Sequence, residues 1–369
     1  MTQRLSSVQH LRGYAAMAVV VLHARLLAAD VATRAGTPVS VEILPLFGAW
    51  GVDLFFVISG FVMTQVVANA RASASFEAGA GGFLLRRIAR VVPLYWVATL
   101  AMATAIAALP ASSRESALAP MHVLASLLFV PAPNWKGEWL PVLVVGWTLT
   151  FEMLFYAVIA MALRWRWRMP VEGAAALLAV GALLGATGRW PMPWGVMTDP
   201  LLLEFGLGVA AWWASRHWSP SRPVLRRCVA MAIAAVVATS VPGALEWRVV
   251  CWGVPAAVLV CALVSHEQQA QGTPQASVTM RGLDSIMLRL GDASYSIYLF
   301  HLFAVKIVAR VAIAAHVAPG FAAAIALEVL VILVSAGLGV AIHRIVEAPL
   351  LKAAYRAVAR TVRRRRAGP

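Results

Sequence analysis

The chain has 369 residues, 61% of them hydrophobic and only 13% charged, with a formal net charge of +15. Soluble globular chains run at about 45–50% apolar, so the excess must face lipid or a large helix bundle. Few charges with a strong basic bias fit the positive-inside rule for cytoplasmic loops and exclude a nucleic-acid partner, which would need a soluble domain to carry its basic patch.

A span needs about 20 mostly apolar residues to cross roughly 30 Å of hydrocarbon. Stretches at 9–29, 47–68, 91–109, 143–163, 172–188, 197–214, 228–243, 247–264, 291–315 and 321–346 meet or approach that length. They predict an all-α polytopic membrane protein of about ten transmembrane helices. The first apolar stretch runs on too far for a cleavable signal. The stretch 120–130 is bounded by Pro120 and Pro131 at about half a span, and reads as re-entrant or interfacial. With both termini cytoplasmic, 22 Lys and Arg fall inside and 5 outside (Arg34, Arg114, Lys136, Arg189 and Arg248), the rest of the 31 lying in the spans or at their ends. Residues 1–350 are expected to form a single transmembrane domain and 351–369 a basic cytoplasmic tail near anionic headgroups. Cys228, Cys251 and Cys261 lie in or beside apolar stretches without metal-ligand spacing, so neither a disulfide framework nor a metal site is expected.

Ionisable groups are costly in lipid, so each one inside a span invites a functional reading. The first span carries Arg12 and His23, eleven residues apart. That is about 1100° of helix, or three turns plus roughly 20°, so both face one way with a rise of about 16 Å. Arg12 then sits near the inner surface and His23 near the midplane. The second span opens Gly51-Val52-Asp53-Leu54-Phe55-Phe56 and continues to Ser59-Gly60-Phe61. Asp53 either pairs with a cation or caps the helix start. Arg86, Arg87 and Arg90 precede Pro93-Leu94-Tyr95-Trp96. Arginine forks match phosphate oxygens, although on spacing alone positive-inside anchoring is the simpler account. Glu152 lies deep in the fourth apolar run, where it must be paired, protonated or lining a polar cavity. Ser294, Tyr298 and His301 form one polar stripe on the ninth span. His343 and Glu347 stand four apart at the end of the tenth, where they either pair or end the helix with a capping charge. Trp135, Trp139 and Trp147 suit an interfacial aromatic belt, and also suit a sugar ring.

Taken in order, these segments resemble the acyltransferase-3 family of membrane O-acyltransferases. Arg12 and His23 match its Arg-x10-His element. Gly51 to Phe61, Phe83 to Trp96, Trp147 to Tyr156, Ser294 to His301, and Glu347 with Pro349 match five further elements. The opening Ser7 to Gly13 is closest to the branch that O-acetylates exopolysaccharides such as succinoglycan. Phe151-Glu152-Met153 departs from the family's usual Val-Glu-Glu or Val-Glu-Gln. The resemblance implies ten spans in a bacterial inner membrane, an acyl-CoA donor (acetyl-CoA) entering from the cytoplasm, and a glycan or lipid-linked saccharide acceptor. It implies no metal and no fused hydrolase-like domain. His23 is expected to act as general base, or to carry the acyl group itself, with Glu152 or Asp53 orienting it or the acceptor. Arg12, Arg86, Arg87 and Arg90 are expected to hold the donor, with Tyr298 and His301 beside its path. The competing readings are a glycan or lipid carrier without acyl transfer, and a structural subunit of a synthase.

Overall fold

The computed structural model of the protein describes residues 5–34, 46–73, 79–108, 118–188, 190–270, 281–315 and 320–367. Arg34 and Arg189, two cations expected outside, are of undescribed side chain or position, and Arg114 lies outside the described residues. Among the described residues every regular element is helical. In chain order these are α1 (Ser6–Arg34), α2 (Trp50–Ala72), α3 (Ala80–Ala108), α4 (Pro120–Leu127), α5 (Trp147–Arg164), α6 (Pro170–Gly185), α7 (Leu202–His217), α8 (Arg222–Ala238), α9 (Val254–Ala270), α10 (Arg281–Asp292), α11 (Ser294–Ala314), α12 (Phe321–Ile342) and α13 (Ala348–Ala367).

Among the described residues seven helical stretches are long and apolar enough to cross a membrane: Ser6–Val31, Trp50–Ala72, Ala80–Ala108, Val144–Arg164, Val249–Ala270, Ser294–Ala314 and Ala322–Arg360. The protein is a multi-pass membrane protein on this ground. Three of the ten expected spans fall on shorter helices. These are α6 and α7, with 16 residues each, and α8, with 17. At 1.5 Å per residue they reach only about 24–26 Å, short of a hydrocarbon core of roughly 30 Å. The half-span at 120–130 is the eight-residue α4, begun by Pro120 at its first turn. The expected boundary at residue 350 lies inside a helix, because α12 passes through a π-helical turn at His343–Glu347 directly into α13.

The chain forms two compact units. The first comprises Met1–Phe61 and Ala210–His343, the second Val62–Val209 and Arg344–Pro369.

In the first unit α1 packs against α9, α10, α11 and α12. Ala16, Val20, Ala24 and Leu27 give α1 a small-residue face at helical spacing, set against Ala293, Ile297 and Val308 and against Leu327 and Val331. Two glycines let α1 and α10 approach closely: a Cβ on Gly13 would lie 3.1 Å from the backbone nitrogen of Gly291, and a Cβ on Gly291 would overlap the Gln9 carbonyl. The start of α1 is capped from far along the chain. The Glu267 carboxylate accepts from the backbone N–H of Ser6 at 2.8 Å and of Ser7 at 2.9 Å, and from both hydroxyls. These are the donors that a helix start leaves without an internal partner. His10 adds a contact of 3.0 Å to Asp284 on α10.

In the second unit α3 packs against α4, α5 and α13, and α5 against α6. Pro93 lies within α3, where it removes one backbone hydrogen bond. Phe155 of α5 stacks on Phe205 of α7, ring centroids 4.3 Å apart.

Candidate active site

The imidazoles of His23 and His301 are in contact. α1 runs unbroken from Ser6 to Arg34, so His23 does sit three turns along from Arg12 on one face. Arg12 is half-buried and engaged in an interaction. The Nδ1 of His23 lies 2.9 Å from the Val19 carbonyl and donates to it. The same nitrogen is 3.3 Å from Nε2 of His301, and the ring centroids are 4.8 Å apart in an edge-on arrangement. His301 is fully buried and donates from its own Nδ1 to the Tyr298 carbonyl at 2.7 Å. Backbone carbonyls four and three residues back thus set both tautomers. With the proton on Nδ1, the Nε2 of His23 carries the lone pair that a base or nucleophile needs.

The polar stripe on α11 faces the interior as expected. Ser294, Tyr298 and His301 are all buried. Tyr298 also meets Phe55 of α2 edge-on, at 5.7 Å between centroids. His301, expected near the donor, is placed on His23 itself.

Asp53 resolves in favour of the cation. It is fully buried and receives Arg248 through two hydrogen bonds, Nε at 3.0 Å and Nη2 at 2.8 Å. The guanidinium also lies over the Trp252 ring, 5.4 Å from its centroid. Bidentate arginine–carboxylate pairing is the strong form of this interaction. Arg248 was legible only as one outer-loop cation. Asp53 is therefore committed to Arg248, and the orienting acceptor on His23 is the Val19 carbonyl.

The second unit carries the expected arginines. Arg90 Nη1 is 3.7 Å from Oε1 of Glu347, a residue 2% exposed. Arg86 lies over the Tyr355 ring of α13, 5.8 Å from its centroid. Arg87 lies over Phe83 at 5.9 Å and near the Met63 sulfur at 3.9 Å, and its buried Nε has no hydrogen-bond partner among the described residues. Three guanidiniums at one helix end form a basic cluster, and arginine forks suit an anion with several oxygens. Glu152 is half-buried and accepts from the Tyr156 hydroxyl one turn on. Glu204, in the apolar run of α7, is fully buried and was passed over in the sequence, where a lone acid among apolar residues is the signal. Among the described residues no three His, Cys, Asp or Glu could hold a metal ion.

The match to known proteins decides the family. Residues 5–343 fit the acyltransferase domain of the acyltransferase-3 group. The chain belongs to the acyltransferase-3 family. It is therefore an acyltransferase of the membrane. It is 38% identical over 316 residues to the exopolysaccharide production protein ExoZ of Rhizobium meliloti (strain 1021), covering 83% of this chain and 90% of that protein. It is 25% identical over 286 residues to nodulation protein 10 of Rhizobium leguminosarum bv. viciae, covering 70% of this chain and 72% of the relative. A third relative, protein 2 in the picA locus of Rhizobium radiobacter, is 30% identical over 147 residues, 36% of this chain and 74% of its own length. No solved structure matches.

Proposed function

We propose that the protein moves an acetyl group from acetyl-CoA on the cytoplasmic side to a hydroxyl of an exported glycan, in a bacterial inner membrane crossed ten times with both termini inside. The kinship with an exopolysaccharide production protein over 83% of the chain supports a glycan acceptor. The observation that carries the chemistry is the fixed tautomer of His23, with Nδ1 on the Val19 carbonyl and Nε2 left basic.

In this reading the CoA phosphates rest on Arg86, Arg87 and Arg90, with Glu347 steadying Arg90. Arg12 orients the donor. A sugar hydroxyl attacks the thioester carbonyl while His23 Nε2 takes its proton. The C–S bond breaks, the O-acetyl ester forms, and the imidazolium returns the proton to the departing thiolate as CoA-SH. His301 Nε2, 3.3 Å from His23 Nδ1, receives part of the developing positive charge through the Nδ1–H. The variant is nucleophilic attack by Nε2 itself, giving an acyl-histidine that the sugar then resolves. Glu152 and Asp53 serve the acceptor or the scaffold rather than the ring nitrogen. The test is transfer of radiolabelled acetyl from acetyl-CoA by the purified protein, with His23→Ala at equal protein level. Label in the glycan product that persists with His23→Ala would end the assignment.

A further inference from the structure

The second unit holds a cavity of about 360 Å³ that the chemistry above leaves unused. Its wall is aromatic, with Tyr95, Phe129, Trp139, Trp147 and Phe151, and its polar groups include Thr150 and Asp199. Among the described residues that line it there is no Lys or Arg. A neighbouring cavity of about 310 Å³ shares Phe129 and Thr150 and is lined otherwise by apolar groups such as Leu154 and Met197.

The wall is built with care at the end of α4. Phe129 has φ +59°, a left-handed conformation that an aromatic residue rarely takes and that glycine usually supplies after a helix. The turn is held by Val130 N–H donating to the Ala125 carbonyl at 2.9 Å. It sets the Phe129 ring in a stack on Tyr95, centroids 4.6 Å apart. Tyr95 is anchored in turn by its hydroxyl on the Ser126 carbonyl at 3.0 Å. Trp147 meets Phe151 edge-on at 5.8 Å. Backbone strain of this kind collects at ligand sites. Asp199 is held by the Leu201 N–H at 2.9 Å, so its carboxylate is fixed in place.

We infer that this cavity is the acceptor subsite, a slot for a neutral pyranose ring. The inference rests on the reading of the acceptor as a glycan. The size suits one or two sugar rings, small-ligand cavities running from roughly 300 Å³ upward. A pyranose has an apolar face of C–H bonds, which packs on electron-rich aromatic faces. Its hydroxyls donate to a carboxylate, the stronger kind of hydrogen bond. Among the described residues the wall offers no Lys or Arg to an anionic ligand such as CoA.

The experiment is saturation-transfer NMR on the full-length protein in nanodiscs, with cellotetraose as the probe. Wild type should transfer saturation to the sugar protons. Trp139→Ala and Asp199→Asn should each weaken binding about tenfold, the size of one lost contact to an aromatic or charged group. Met231→Ala, at an exposed residue of the first unit, should bind as wild type does. No saturation transfer in wild type, unchanged affinity in both cavity variants, or displacement by a decyl-chain lipid analogue instead of by sugar would overturn the subsite. Acetyl transfer provides the separating readout. Sugar binding without any transfer would sink the enzymatic reading alone, whereas transfer with an unaltered acceptor KM in Trp139→Ala would sink the subsite alone.

Discussion

Nε2 of His301 lies 3.3 Å from Nδ1 of His23, joining α1 and α11 through two imidazoles 278 residues apart. A second imidazole on the face opposite the reactive nitrogen is placed to steady the positive charge that His23 acquires. His301→Ala should therefore lower acetyl transfer by about 10²-fold, the scale of one general acid–base contribution. His301→Gln, which keeps a hydrogen-bonding group there, should recover part of the loss. The check is the initial rate at matched protein level, and full activity in His301→Ala would remove it from the mechanism.

Asp53 and Arg248 bury a bidentate ion pair in the first unit. Removing Arg248 strands the Asp53 carboxylate, which is fully buried, whereas the Arg248 side chain is 19% exposed and keeps access to water. Arg248→Ala should therefore cost about 3–5 kcal/mol of stability and Asp53→Asn less, and the two together should cost less than their sum. Thermal or denaturant melting in detergent measures all three. Additive losses in the double variant would contradict the pairing.

Arg87 and Arg90 should separate in their effects. Arg87 has a ring and a thioether for neighbours, so Arg87→Ala should weaken CoA binding about tenfold with melting unchanged. Arg90 faces the buried Glu347, so Arg90→Ala should weaken CoA and also lower stability by roughly 1–3 kcal/mol. Calorimetric titration with coenzyme A, run beside melting curves, distinguishes them. Equal melting loss in both variants would show that Arg87 is structural.

Gly146 lies against the Tyr95 ring, where a Cβ would come within 2.7 Å of both Cε2 and the hydroxyl. Gly146→Ala should push Tyr95 off Ser126 and Phe129 and cost about 1–3 kcal/mol by overpacking. Thermal melting checks the cost, and a melt identical to wild type would show that the ring gives way freely.

Glu267 caps α1 from the last turn of α9. Glu267→Ala should free the Ser6 and Ser7 amides and destabilise by about 1–2 kcal/mol, as loss of a helix cap does. Faster amide exchange confined to the start of α1 is the expected sign, and uniform exchange along α1 would contradict it.

Helices and candidate residues were legible because their signals are local. The apolar runs of α1, α3, α5 and α11 read directly as membrane helices. α6, α7 and α8 read as spans too, but their ends depend on where neighbouring turns begin, and they came out shorter. The stripe of Ser294, Tyr298 and His301 followed from helical periodicity and is buried. Partners were another matter. Asp53 had two open readings until Arg248, 195 residues away, settled them. Glu347 had His343 as its nearest candidate in the sequence, yet it also lies by Arg90.

By itself the amino-acid sequence determined that this is a helical membrane protein, and which imidazoles, carboxylates and guanidiniums it holds in an apolar setting. Hydrophobic length and helical period are additive along the chain, so they need no knowledge of the fold. Only the tertiary structure decided that His23 meets His301, that Arg248 closes on Asp53, and that a forced turn at Phe129 walls a cavity. Each of these depends on contact between segments far apart in the chain, where distance and direction set the energy and no local pattern encodes either.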